Sequence, residues 1–344
     1  MVRHAGIAGL QVAVISFDGW RPKGTQSGSG FRLDGRTGRV DSSEGLTEAR
    51  RFAGSFAADV VHVHDPMLWE FAHEVAAACA ARTVVTMHVM HGVANALRGV
   101  ERPTLSSVGE TKALQEADCL HVTTQWSARW LIETHGIALG RLRVVPLGVD
   151  DSDAASRSRD AEHDGSVLYV GRFSDIKGTD TFIDALRLEG QTLGPVRVAG
   201  GSMHSPKREA RWRKRFLDAM DGNVEFLGWL DPEELGAAYA EASVLVVPSR
   251  LETYGLVALE GLLHGVPVLA SRCPAFEEWL SPGDRAHFFE TGDPVDLARQ
   301  AVLLVRDDER RRKLMRCGAK YALSEGLWSH RFTGLRELYE EVVG

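Results

Sequence analysis

Two glutamates eight positions apart, Glu252 and Glu260, bound the segment ETYGLVALE. The segment follows an apolar stretch at 243–247 and the turn Pro248-Ser249-Arg250. That spacing is about two helical turns, which puts the carboxylates near one face if the segment is helical throughout. Glu252 falls at a strand-to-helix turn and Glu260 inside the helix. A carboxylate accepts hydrogen bonds from two adjacent hydroxyls, such as those of a ribose or a hexose. The helix start at 253–256 offers backbone N–H groups and a positive dipole end, which suit a diphosphate. A second group, Gly171-Arg172-Phe173 through Lys177-Gly178, follows the apolar run VLYV and precedes a helix. Arginine grips phosphate oxygens as a fork, and lysine adds a point charge. Taken singly, each motif also describes an ordinary solvated surface: a capped helix with two carboxylates, and a basic loop.

These residues need a scaffold, and the chain supplies a repeating one. Short apolar runs alternate with helical stretches, the pattern of parallel sheets covered by helices. Strands are expected at 10–17, 59–64, 83–88, 119–123 and 142–146, with helices at 69–81, 111–116 and 127–135. Residues 150–164 (DDSDAASRSRDAEHD) are polar and aperiodic and read as a linker. A second series then begins. Strands are expected at 166–170, 195–199, 224–227, 243–247 and 266–270, with helices at 179–186, 254–264, 293–305, 308–324 and 329–343. The sequence therefore predicts an α/β protein of two Rossmann-like, doubly wound domains facing across a cleft. The first covers 1–150 and the second 151–328. A terminal helix at 329–344 is free to pack back on the first. Ligands of such sheets bind beyond the carboxyl ends of the strands. Residues 18–50 are turn-rich and read as a loop or hairpin.

Length and composition agree with this reading. A chain of 344 residues exceeds what one core usually organises. Apolar residues make up 44% and charged residues 25%, as in ordinary globular proteins. The net charge of −7 argues against a nucleic-acid partner. The four cysteines, Cys79, Cys119, Cys273 and Cys317, form no CxxC, so neither a disulfide framework nor a zinc site is expected. The expected compartment is the reducing cytoplasm. No apolar run reaches about 18 residues, and no signal-peptide pattern is read at the start, so membrane contact is expected to be peripheral at most.

Together the motifs resemble the retaining family-4 glycosyltransferases of the GT-B fold. Gly171-Arg172, Lys177-Gly178, Glu252-x7-Glu260 and Gly265-Val266-Pro267-Val268 look like that family's donor domain. Pro146-Leu147-Gly148-Val149-Asp150 resembles the end of its first domain, and Val63-His64-Asp65 and Thr86-Met87-His88 its first-domain strands. The resemblance covers nearly the whole chain and is strongest over 142–280. It implies a nucleotide-sugar donor, UDP- or GDP-linked, acting as a co-substrate with no separate cofactor and no metal. It implies that Arg172 and Lys177 bind the donor diphosphate, with Gly171 beside them. Glu260 would hold the ribose hydroxyls and Glu252 a hydroxyl of the transferred sugar. Main chain at Thr253, Tyr254, Gly255 and Leu256 would meet sugar and phosphates, and main chain at Trp229 and Leu230 the nucleobase. His88 would reach across the cleft to the sugar. Retaining transfer of this kind needs no dedicated base, because the leaving diphosphate can take the acceptor's proton. The protein's task is to stabilise that diphosphate.

Other motifs carry less. His62 and His64 point to one side of a strand and, with Asp65, could suggest a metal site, but satisfied histidines at a strand end are the favoured reading. Asp151-Ser152-Asp153 matches a DxD metal pattern yet lies in the linker. The basic run at 207–215 (KREARWRKR) reads as a solvated helix face. The beginning of the chain departs from the family pattern. Either residues 10–17 form the second strand, so that the first strand and glycine loop are missing, or they form the first, with Ser27-Gly28-Ser29-Gly30 as the loop. The first alternative is favoured, because no helix pattern follows Gly30, and it leaves acceptor binding open. A sugar phosphorylase, a sugar-nucleotide epimerase and an inactive sugar-nucleotide-binding protein remain alternatives on the same architecture.

Overall fold

The structure, a computed structural model, describes residues 14–16, 30–32, 51, 55, 57–99, 105–150, 165–202 and 205–344. The linker with Asp151 and Asp153, and Ser27-Gly28-Ser29, lie outside these residues. So does most of the segment on which the question of a first strand and glycine loop turns. The chain divides into two compact units: Met1–Pro146 with Arg331–Gly344, and Leu147–His330.

In the first unit, β1 (Val14–Ser16) and β2 (Gly30–Arg32) pair in parallel, Val14 opposite Gly30. Apart from β2, the segment read as a loop or hairpin, 18–50, lies outside the described residues. A four-stranded parallel sheet follows, in the order β3 (Val60–Val63), β4 (Arg82–Thr86), β5 (Cys119–Val122) and β6 (Leu142–Val144). Its helices are α1 (Trp69–Cys79), α2 (His91–Leu97), α3 (Leu105–Glu116) and α4 (Gln125–His135). Alternation along the strands divides the core between two faces. Val85 and Leu120 pack with Trp69 and Leu131 on one face. Val84 and Cys119 meet Phe332, Leu335 and Leu338 on the other. Those three residues repeat every third position along the terminal helix, Trp328–Val343. Helix α2 is not predicted by its sequence, HGVANAL, which is rich in weak helix formers. The carboxylate of Glu110 accepts hydrogen bonds from the N–H groups of His91 (2.5 Å) and Gly92 (3.0 Å), so a tertiary contact caps its start.

The second unit is a six-stranded parallel sheet. Its strands are β7 (Val167–Val170), β8 (Val196–Ala199), β9 (Val224–Gly228), β10 (Val244–Val247), β11 (Val268–Ser271) and β12 (Ala286–Phe289). Their order is β12-β11-β10-β7-β8-β9. Helices α5 (Thr179–Leu193), α6 (Pro206–Ala219), α7 (Pro232–Glu241), α8 (Leu256–His264) and α9 (Pro274–Trp279) lie between the strands, α10 (Pro294–Arg306) and α11 (Asp308–Glu325) follow the last one, and the terminal helix is α12. Apolar clusters cover both faces of the sheet. That is why β10 reads VLVV with every residue buried. Strand order reverses between β7 and β10, which are direct neighbours with Val167 opposite Val244. The crevice beyond such a switch point is where doubly wound sheets bind ligands.

Candidate functional site

The two loops that leave β7 and β10 carry the charged motifs, so the switch point brings them together. Lys177 donates to Glu252 Oε1 at 2.6 Å, and the Ser249 hydroxyl donates to the same oxygen at 2.8 Å. Both members of the ion pair are largely shielded, Lys177 29% and Glu252 10% exposed. Arg250 ties the loops from the other side. Its guanidinium grips both carboxylate oxygens of Asp180 at 2.6 and 2.7 Å. It also donates to the carbonyl of Asp175 at 2.6 Å, and its own N–H donates to the carbonyl of Ile176 at 2.8 Å. Neither Ser249 nor Arg250 is a predicted site residue. The turn composition at 248–250 was the available signal.

Gly178 shows how closely the loops approach. It has φ +62°, and an added Cβ would lie 1.8 Å from the carbonyl oxygen of Pro248. Only glycine fits that point of contact. Arg172 lies exposed on the same loop, after Gly171.

Glu252 and Glu260 do not share a helix face. Helix α8 begins at Leu256, so Glu252 stands outside it, and the expected start at 254 is corrected by two residues. The cause is Gly255, the N-cap, at φ +94° with an added Cβ only 2.2 Å from the Phe276 ring. The left-handed residue turns the chain before the helix can extend backwards. Thr253 and Tyr254 are buried. Tyr254 stacks on Trp279 with ring centres 5.0 Å apart, and the indole N–H donates to the Tyr254 carbonyl at 2.9 Å. Only main chain at these positions can face a ligand, while the Leu256 side chain is partly exposed. At the start of α8 the Ala258 N–H donates to the Gly255 carbonyl at 3.0 Å, and the N–H groups ahead of it stand where a helix start can receive an anion. Glu260 lies one turn further on and accepts from the Tyr239 hydroxyl at 2.8 Å.

Trp229 and Leu230 follow β9, two strands from β7, with the Trp229 side chain exposed. The basic run belongs to α6. Its start and the preceding loop line an open cavity of about 430 Å³, bounded by Ser202, Ser205, Pro206, Glu209, Ala210 and Arg213. Arg213 pairs with Glu209 there, and Lys214 with Asp218.

In the first unit the strand ends gather histidines. The Val145 carbonyl can only accept, so His121 Nε2–H donates to it at 2.8 Å. The other ring nitrogen then accepts from the Thr86 hydroxyl at 2.8 Å. Thr86 Oγ1 in turn accepts from His62 Nε2–H at 2.6 Å, and His62 Nδ1 accepts from the Tyr339 hydroxyl at 2.6 Å. One carbonyl thus fixes the direction of the whole chain, provided the rings are neutral. Burial keeps them so: it lowers His62 well below the usual histidine value and His121 to about 4. Both nitrogens of His62 are engaged. Among the described residues no group of three or more His, Cys, Asp or Glu side chains is arranged to hold a metal ion. His88 follows β4 by two residues, its Nε2 3.0 Å from His64 Nδ1 with the rings stacked. Burial lowers its pKa, against an opposing pull from Asp65.

Comparison with known proteins joins these sites to one family. The glycosyl transferase 4-like domain matches residues 2–148, and glycosyl transferases group 1 matches residues 164–307. The D-inositol 3-phosphate glycosyltransferase of Acidothermus cellulolyticus is 30% identical over 316 residues, covering 86% of this chain and 69% of the relative. Sucrose-phosphate synthase from Thermosynechococcus elongatus superposes with a TM-score of 0.78 at 23% identity, over 99% of this chain and 91% of that one. Anabaena HepE, solved in complex with UDP and glucose, superposes with a TM-score of 0.77 at 16% identity, over 91% and 86%. At these identities the two structures speak for the fold alone.

Proposed function

This chain belongs to the family-4 glycosyltransferases of the GT-B fold, and on that premise we propose that it transfers a hexose-type sugar, with retention at the anomeric carbon. The donor is a UDP- or GDP-linked sugar, and the acceptor a hydroxyl of a small-molecule or lipid-linked compound. The carrying observation is the pairing of the two charged loops at the switch point, Lys177 on Glu252 and Arg250 on Asp180. It holds a cationic loop beside a helix N-terminus before any ligand arrives. Preorganised charge of this kind stabilises a departing diphosphate without a reorganisation cost.

In this reading Arg172, Lys177 and the main chain from Gly171 and from Thr253 to Leu256 hold the diphosphate. Glu252 holds a sugar hydroxyl, Glu260 the ribose, and main chain near Leu230 the base. His88 serves the sugar. As the bond from the anomeric carbon to the diphosphate oxygen breaks, the acceptor oxygen attacks the same face. Its proton passes to the leaving phosphate oxygen. The cationic pair takes the part a metal ion plays elsewhere, so no cofactor is needed. The name of the inositol-phosphate relative favours a polar acceptor such as an inositol phosphate. The four free thiols favour a reducing cytoplasm, and no described helix is long and apolar enough to cross a membrane.

The test is transfer from UDP- and GDP-hexoses to inositol phosphates and sugar phosphates in EDTA, with the product anomer read by NMR. Retained configuration and unchanged activity in EDTA are expected. Inversion, or activity lost in EDTA and restored by manganese, would contradict the mechanism. Donor binding with no turnover on any acceptor would favour a binding protein.

A further inference from the structure

The Glu260 carboxylate is held by a residue that the donor site does not otherwise use. Tyr239, on α7, is 1% exposed, and its hydroxyl donates to Glu260 Oε2 at 2.8 Å. Its ring also stacks on His264, with centres 5.5 Å apart and planes 21° from parallel. Glu260 and His264 are four residues apart on α8, hence on one face. Tyr239 therefore grips that face at two successive turns. A buried phenol cannot ionise and cannot leave its O–H unpaired without cost. Burial and the neighbouring carboxylate raise its pKa well above the usual value, so it remains a donor. Glutamate, in contrast, has three rotatable bonds, and a vicinal diol is received well only by a carboxylate held in one plane. The hydrogen bond fixes one oxygen and thereby the plane of the other.

We propose that Tyr239 is a positioning residue for the nucleoside end of the donor site: it holds the Glu260 carboxylate in the orientation that receives the two ribose hydroxyls. The proposal rests on the reading of Glu260 given above and adds to it. It makes the ability to tell a ribose from a deoxyribose depend on a tyrosine that never meets the ligand.

The experiment is calorimetric titration of wild type, Tyr239→Phe and Glu260→Gln with UDP and GDP and with their 2′,3′-dideoxy counterparts. For whichever base binds, wild type should prefer the ribose form by about tenfold or more, the scale of hydrogen bonds to a charged group. Tyr239→Phe keeps the ring and its stack. It should weaken the ribose form several-fold and leave the dideoxy form unchanged. An equal loss on both ligands, or no loss on either, overturns the positioning role. A wild type that binds both forms equally overturns the ribose reading of Glu260 itself, and a wild type that binds neither overturns the donor reading. A Phe variant with wild-type melting and a ribose preference lowered several-fold supports the proposal.

Discussion

The strand ends of the second unit are fastened by charge, and those of the first by neutral imidazoles. Beyond β7 and β10, Arg250 grips Asp180 and Lys177 grips Glu252. At the ends of β3, β4 and β5, a directed relay runs from Tyr339 through His62, Thr86 and His121 to the Val145 carbonyl, and every member is uncharged. The contrast follows from what each place must tolerate. A loop proposed to receive a diphosphate can keep charge at a partly shielded edge, where ligand and counter-ion would share it. A relay packed beneath a terminal helix has no such partner, so burial selects the neutral forms. The same sheet architecture therefore carries paired charges at its strand ends in one unit and a neutral, pH-sensitive joint in the other.

The largest effect expected from this contrast is catalytic. Arg172→Ala and Lys177→Ala should each lower kcat/KM by about 2–4 kcal/mol, roughly 30- to 1000-fold, the scale of losing one preorganised charge. Their melting should differ. Arg172 is exposed, and its removal should leave Tm unchanged. Removing Lys177 strips the shielded Glu252 of its counter-ion and should destabilise by about 1.5–3 kcal/mol. Steady-state kinetics and thermal melts check both, and equal Tm values for the two variants would deny the ion pair a structural part.

Acid should act on the first unit. His121 titrates near 4 when folded and near 6.5 when unfolded. The unfolded chain thus binds more protons between those values. The stability of the neutral ring is complete above about pH 6.5 and is lost as pH falls towards 4, about 3 kcal/mol for this ring alone. Denaturant midpoints measured from pH 7 to pH 4 should fall more steeply for wild type than for His121→Gln. Parallel curves would show that the relay is not the titrating element.

A smaller pair of effects separates two glycines of nearly equal φ. Gly136, the C-cap of α4, has φ +64° and nothing within 4 Å of an added Cβ, so Gly136→Ala should cost about 1–2 kcal/mol of backbone strain. Gly178→Ala adds the collision with Pro248 and should cost about 2–3 kcal/mol. Equal melting of the two variants would mean that the loops separate easily.

Much of the fold could be read from the sequence because buried parallel strands announce themselves. VLYV and VLVV are continuous apolar runs with helices on both faces. The charged motifs were legible for a similar reason: Arg172, Lys177 and Glu252 come directly after continuous apolar strands, where a switch to charge stands out. Elements fixed by distant contacts were not legible. Helix α2 depends on Glu110, which lies 18 and 19 residues beyond the two N–H groups it caps. The shared helix face expected of Glu252 and Glu260 fails because of Gly255, whose left-handed backbone no periodicity reveals. Helix α7 was legible and passed over. Asp231, Pro232 and Glu234 form a capping box with proline at the first position, and this helix carries Tyr239.

The account stands most directly on the division of labour between the two glutamates, which calorimetry of Glu252→Gln and Glu260→Gln with a nucleoside diphosphate measures. Glu260, on α8, is tied to Tyr239 on α7, and Glu252, at the turn before α8, to Lys177. Glu260→Gln should weaken the diphosphate by about tenfold, while Glu252→Gln leaves its affinity nearly intact. Loss of diphosphate affinity in Glu252→Gln with full affinity in Glu260→Gln would reverse the donor's orientation. Full affinity in both would contradict the assignment of these carboxylates to the donor.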